Sequence, residues 1–154
     1  MAIDFTGLNT ETLDDPYPMP TEQTVMAYLS GAKYFTSLDM VQGYHQVLMD
    51  RDSRMYTAFG TGTAQYQFKV MPFGLKNAPA VFVRFIDEIL GDLKGEVAFM
   101  DDILIYSKTY DEHLALVDAV LKRMIQYKVH LKASKCEFAK DTISYIGHVF
   151  TRDV

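Results

Sequence analysis

At 154 residues, 49% hydrophobic and 23% charged, the chain has the make-up of one globular domain and too much apolar content for a disordered one. A single cysteine, Cys136, excludes an internal disulfide framework and suits a reducing compartment. The net charge of −5 lacks the basic footprint of a typical nucleic-acid binder, yet it is compatible with carboxylates that gather metal ions, whose charge the formal count omits.

The opening MAIDFTGLNTETLDD has neither a basic start nor an apolar stretch, so no signal peptide is expected. No run approaches the roughly 20 apolar residues of a membrane helix. The prolines of DDPYPMP bias their predecessors away from helix, which predicts an extended connector from Asp14 to Pro20. Thr21 then caps a short helix through Tyr28, with Val25, Met26 and Leu29 facing inward and Gly31 ending it. Strand-like runs follow: AKYFTSLDM, HQVLM, and a hairpin of YTAF and QYQFKV about the turn-rich GTGTA.

NAPAVFVRFIDEILGD carries the strongest helical pattern. Asn77 is a good N-cap, Pro79 is tolerated in the first turn, and Ala78, Val81, Phe82, Phe85, Ile86, Ile89 and Leu90 form one apolar stripe. EVAF and ILIYS are two short strands flanking Met100-Asp101-Asp102. A second helix is expected to start near Asp111 and to present Leu114, Val117, Leu121, Met124 and Ile125 on one face. The runs VHLKA and TISYIGHVF close the chain. This order predicts an α+β fold, an antiparallel sheet with helices packed on one face in a split βαβ, ferredoxin-like topology. Residues 1–154 are expected to form a single domain.

Asp101 and Asp102 sit at the junction of two apolar strands, where a tight turn can aim both side chains near one point. Paired carboxylates repel unless a divalent cation or a shared proton intervenes, although aspartate is also an ordinary hairpin-turn residue. Asp39, between two apolar runs, is out of character with a strand and equally suits a strand-end cap. A sheet that brings Asp39 beside the pair gathers three oxygen donors suited to Mg²⁺, and metal pairs about 4 Å apart serve phosphoryl transfer. The spacing permits that arrangement without requiring it.

Taken in order, IDFTGLN, DPYPMP, GAKYFTSLDMVQGYHQV, YTAF, VMPFGLKNAPAVF, FMDDILIYS, EHL, LKASKCEF and YIGHV run along nearly the whole chain. In this series the sequence resembles the reverse transcriptase of gypsy-type long-terminal-repeat retrotransposons. The resemblance implies a polymerase palm with part of the fingers, and DNA synthesis on an RNA template. Asp39, Asp101 and Asp102 would hold two Mg²⁺ or Mn²⁺ ions that activate a primer 3′-hydroxyl and stabilise the leaving pyrophosphate. Tyr44 would stack beneath the deoxyribose and exclude a 2′-hydroxyl. Phe73 and Gly74 would line the nucleotide pocket and the template approach. Phe99 and Met100, with Gly147 and His148 of YIGHV, would touch nucleic acid near the primer end. Lys135 falls where the family places a proton donor for pyrophosphate.

The implied partners are an RNA or DNA template with primer, deoxynucleoside triphosphates and other polyprotein domains. The implied location is intracellular, in the cytoplasm or a retroelement particle, with no membrane association. No thumb, connection or ribonuclease H region is expected within these residues. Three positions depart from the family pattern: Phe99 stands for the tyrosine before the aspartate pair, Thr6 for an arginine, and Val83 for a glutamine. They give weight to a different class of reading, a retroelement remnant acting only as a binding module. An RNA-directed RNA polymerase shares the palm logic, but Tyr44 and the NAPAVF helix match the reverse transcriptase pattern instead.

Overall fold

The computed structural model describes residues 2–99 and 102–152. The expectations for Met100 and Asp101 lie outside the described residues. At the centre is a four-stranded antiparallel sheet of β1 (Tyr34–Asp39), β4 (Glu96–Phe99), β5 (Asp102–Ser107) and β6 (Glu137–Lys140), in the order β4-β5-β1-β6. Helix α3 (Ala78–Leu90) joins β1 to β4 in sequence, and α4 (Tyr110–Gln126) joins β5 to β6. Strand–helix–strand–strand–helix–strand in that spatial order is the ferredoxin-like arrangement that the element sequence predicts.

Alternation along the strands sorts residues to two faces. Leu38, Met40, Ala98, Ile103 and Ile105 lie in one apolar cluster with Phe82, Ile86, Ile89 and Leu90 of α3 and Val120 and Met124 of α4. Phe35, Val97 and Leu104 belong to a second cluster, completed by Val25 and Leu29 of α2 (Glu22–Leu29) and by Ile143 and Tyr145 of β7 (Thr142–Tyr145). The sheet is therefore covered on both faces. Only α3 and α4 share a face, and the expectation of helices on one face alone holds for that pair.

Several sequence expectations shift in detail. In α2, Thr21 does cap the helix, its Oγ1 accepting from the Thr24 N–H at 3.2 Å, but Met26 is exposed. In α4 the inward stripe is His113, Leu116, Val117, Val120 and Met124, while Leu114 and Ile125 face solvent. Leu116 and Val120 continue the spacing set by His113, and an apolar-only stripe misses that register because its first inward residue is polar.

Asn77 precedes α3 without a side-chain cap bond. Its amide instead holds the Pro-rich connector: Nδ2 donates to Leu13 O at 2.8 Å and Oδ1 accepts from the Asp15 N–H at 3.2 Å. The Arg84 guanidinium adds two 2.7 Å bonds to the Asp15 carboxylate and lies over the Tyr17 ring.

HQVLM is not a strand. Gly43–Gln46 forms a 3₁₀ turn, and beyond it only Leu48 bridges Val70. Arg51–Thr57 is likewise 3₁₀, which leaves a two-residue hairpin of β2 (Phe59–Gly60) with β3 (Gln65–Tyr66). The expected VHLKA strand reduces to a Leu131 bridge to Met40, and the strand that completes the sheet is β6, just beyond it. TISYIGHVF folds back on itself as β7 and β8 (His148–Thr151). A short helix, α1 (Thr6–Glu11), starts within IDFTGLN, where the Asp4 carboxylate accepts from the Thr6 N–H at 2.9 Å.

A carboxylate pair at the end of the sheet

In register, Asp39 of β1 stands directly opposite Asp102 of β5, and Asp102 stands opposite Phe99 of β4. Residues directly opposite in an antiparallel ladder share a face, so these three form one row on the face that carries Phe35 and Leu104. The backbone groups of Asp39 turn towards the β6 side. Its carbonyl accepts from the Lys132 N–H at 2.8 Å, and its N–H points to Cys136 Sγ at 3.4 Å. Asp39 and Asp102 therefore form a non-hydrogen-bonded pair, whose Cα atoms usually lie about 4.5 Å apart with side chains close.

Two carboxylates directly opposite one another destabilise a sheet. Lys135 Nζ lies 3.9 Å from Asp39 Oδ2, a long and half-exposed ion pair that offsets little. Asp39 is half-buried and Asp102 exposed. A hard divalent cation relieves such repulsion and takes oxygen ligands, so the donor set fits Mg²⁺ or Mn²⁺. Among the described residues no group of three or more His, Cys, Asp or Glu is gathered to hold a metal. Asp101, the third carboxylate of the sequence expectation, is outside them.

Tyr44 sits in the 3₁₀ turn just past β1. Its ring packs at 5.3 Å from Phe73 and edge-on at 5.5 Å from Phe82, while the His45 ring lies tilted 4.9 Å from Phe73. Phe73 keeps half of its surface exposed. Gly74 has φ +91°, a conformation that L side chains rarely adopt, although a Cβ there would meet nothing closer than 3.6 Å. Backbone conformation thus accounts for the glycine. Asn9 clamps this turn, donating to Gly74 O and accepting from the Lys76 N–H, each at 2.8 Å. Sequence reasoning missed Asn9, whose signal was its place in IDFTGLN.

The β7–β8 hairpin turns through Ile146 (φ 52°) and Gly147 (φ 70°), both positive as in a type I′ turn. His148 is exposed at the start of β8. Beside that turn, the buried Tyr145 donates its hydroxyl to Asp102 O at 3.3 Å, which couples the hairpin to the carboxylate row. Phe99 packs against the second apolar cluster.

Two further ionisable groups matter for stability. His113, fully buried, bridges Thr36 Oγ1 (2.8 Å) and Ser107 Oγ (3.1 Å), and Thr36 Oγ1 also accepts from the Ala139 N–H at 2.9 Å. Because the Ser107 hydroxyl donates to Thr109 O, the neutral Nδ1–H tautomer satisfies the chain of bonds. Burial holds the His113 pKa below its ordinary value. Glu96 lines a cleft of about 820 Å³ with Tyr28, Tyr106 and Asp87. Burial, reinforced by the Asp87 charge, raises its pKa to about 7. This cleft is lined by none of the carboxylate row, nor by Tyr44 or Phe73.

Residues 1–150 match the family model described as reverse transcriptase (RNA-dependent DNA polymerase). The chain is 39% identical over 99% of its length to the retrovirus-related Pol polyprotein from transposon opus of Drosophila melanogaster, and 36% identical over 99% to that from transposon gypsy. It spans 16% and 15% of the length of those relatives. It is also 34% identical over 96% of its length to the enzymatic polyprotein of cauliflower mosaic virus, spanning 22% of that protein. In fold it matches the foamy viral protease-reverse transcriptase solved with an RNA/DNA hybrid, at TM-score 0.87 and 22% identity. That match covers 98% of this chain and 21% of the viral one.

Proposed function

The chain belongs to the reverse transcriptase (RNA-dependent DNA polymerase) family, and on that premise we propose that it is the palm, with part of the fingers, of an enzyme that extends a primer on an RNA or DNA template. The observation that carries the reading is the Asp39–Asp102 pair, two carboxylates held opposite one another where the sheet gains nothing from them. Asp39, Asp102 and Asp101 would hold two Mg²⁺ or Mn²⁺ ions, which when bound lower the pKa of the primer hydroxyl and neutralise charge on the triphosphate.

The chain's own contribution is placement. β1 and β5 fix the two aspartates, and the Lys132 and Cys136 contacts hold the Asp39 backbone. Tyr44, packed between Phe82 and Phe73, would present its ring to the sugar and select deoxynucleotides. Phe73 and Gly74 would line the nucleotide pocket. Gly147 and His148, with Phe99 and Met100, would grip the primer end, and Lys135 would donate a proton to pyrophosphate. In the likeness of its relatives the chain would work within a longer polyprotein, inside the cell. Among the described residues no helix is long and apolar enough to cross a membrane.

The test is primer extension on an RNA template with Mg²⁺ or Mn²⁺, comparing the chain with Asp101→Asn. Extension by the parent alone supports a working carboxylate site, and equal extension by both overturns the assignment.

A further inference from the structure

Resting on the polymerase reading above, we propose that Gln46 is a positioning residue for Tyr44, and that its side-chain amide thereby sets discrimination between deoxyribose and ribose. Gln46 closes the 3₁₀ turn Gly43–Gln46 that carries Tyr44. Its Nε2 donates to Val41 O at 2.7 Å and to His130 O at 2.9 Å, and its Oε1 accepts from the His130 N–H at 2.8 Å. Both donors and the acceptor of the amide are thus engaged, and the two bonds to His130 reach across 84 residues of sequence.

The turn is strained where it begins. It is entered through Gln42 in the left-handed region at φ 47°, a conformation that favours glycine. Its backbone bonds include His45 N–H to Gln42 O at 2.7 Å and Val47 N–H to Tyr44 O at 3.2 Å. A turn that is strained at its entry keeps its geometry only where its surroundings over-determine it. Gln46 supplies that determination from the segment after α4, which reverses at Lys128 (φ 57°) and brings His130 against Val41, whose N–H donates to His130 O at 3.0 Å. On the other side Tyr44 meets Phe82, which is fully buried, and Phe73, which is half-exposed. Of these two aromatic neighbours, Phe82 is fixed and Phe73 can yield. With the amide removed, the turn can slide towards the yielding side.

Gln46→Met keeps the length of the side chain and removes all three bonds. Gln46→Glu leaves an acceptor for the His130 N–H but sets a carboxylate against two carbonyl oxygens. The experiment pairs two readouts on the parent chain and both variants. The first is amide hydrogen exchange over residues 41–47 and 129–131. The second is single-nucleotide extension on an RNA template with Mn²⁺, comparing KM and kcat for dUTP with those for UTP.

Exchange at His130 and through the turn is expected to quicken about tenfold in Gln46→Met, with global melting near that of the parent. The KM preference for dUTP over UTP is expected to fall about tenfold, while kcat for dUTP changes by less than about threefold. Gln46→Glu should fall at least as far as Gln46→Met in both readouts. Unchanged exchange overturns the strut, and faster exchange with unchanged sugar preference overturns its link to Tyr44. A parent that extends nothing overturns the polymerase reading and the selectivity claim with it, whereas the exchange readout still decides the strut.

Discussion

The two faces of the central sheet are built from the same strands by the same alternation, yet they end differently. Beyond the buried Thr36–His113 pair, the face against α3 and α4 stays apolar to this end of the sheet, through Leu38 and Ile103 to Met40. The other face begins alike, with Phe35, Leu104 and Val97 under α2 and β7, and then changes character at the row of Asp39 and Asp102. Strands do not need carboxylates there, and the sheet is less stable for having them. On the proposed reading, stability and function therefore occupy adjacent rows of one element, which makes them separable by substitution.

The sharpest separation should come from Asp39→Asn. Extension activity is expected to fall at least about a hundredfold, the scale seen when a group that stabilises transition-state charge is removed. Stability should stay within about 0.5 kcal/mol of the parent, because relief of repulsion opposes the loss of a weak pair with Lys135. Chemical denaturation alongside the extension assay reads both. A large loss of stability would show that this row is structural after all.

On the other face Phe82→Ala should do the reverse. Removing a fully buried ring from α3 costs about 3–5 kcal/mol, read as a shifted denaturation midpoint. Because Phe82 also backs Tyr44, the residual folded fraction should lose some sugar selectivity as well.

Between these lies Thr36→Val, which keeps the shape but orphans both His113 Nε2 and the Ala139 N–H, for a loss of about 1–3 kcal/mol. The smallest effects are pH slopes of opposite sign. His113 has a lowered folded pKa, so its contribution is complete above the unfolded value near about 6.5 and is lost as pH falls below it. Glu96, with a folded pKa of about 7, contributes most below its unfolded value near about 4.3, and that contribution is lost as pH rises through about 7. In urea midpoints, His113→Gln should remove a rise with pH below about 6.5, and Glu96→Gln a fall with pH between about 4.3 and 7, leaving the basic side above pH 7 unchanged.

Much of the core was legible in sequence because its signals are local and periodic. The stripe of α3 and the runs YFTSLD, EVAF and ILIYS each reappear as the element their spacing predicts. What was not legible depended on remote partners. His113 reads as a surface polar residue until Thr36 and Ser107 close around it, and that displaced the whole inward face of α4. QVLM has strand composition but lies where Gln46 and His130 hold a 3₁₀ turn instead. Asn77 looks like a cap and is used to anchor the connector. At the site, alternation alone could not pair Asp39 with Asp102, since register across 63 residues of chain is set by which rows bury Leu38 and Ile103.

The most direct measurement is a Mn²⁺ titration of the chain and of Asp39→Asn, followed by electron paramagnetic resonance of the free ion. Saturable depletion of free Mn²⁺ by the parent, lost or weakened at least about tenfold in the variant, is the outcome expected of a metal seat at the end of β1. Equal depletion by both proteins would contradict it and leave the Asp39–Asp102 row without the role assigned to it here.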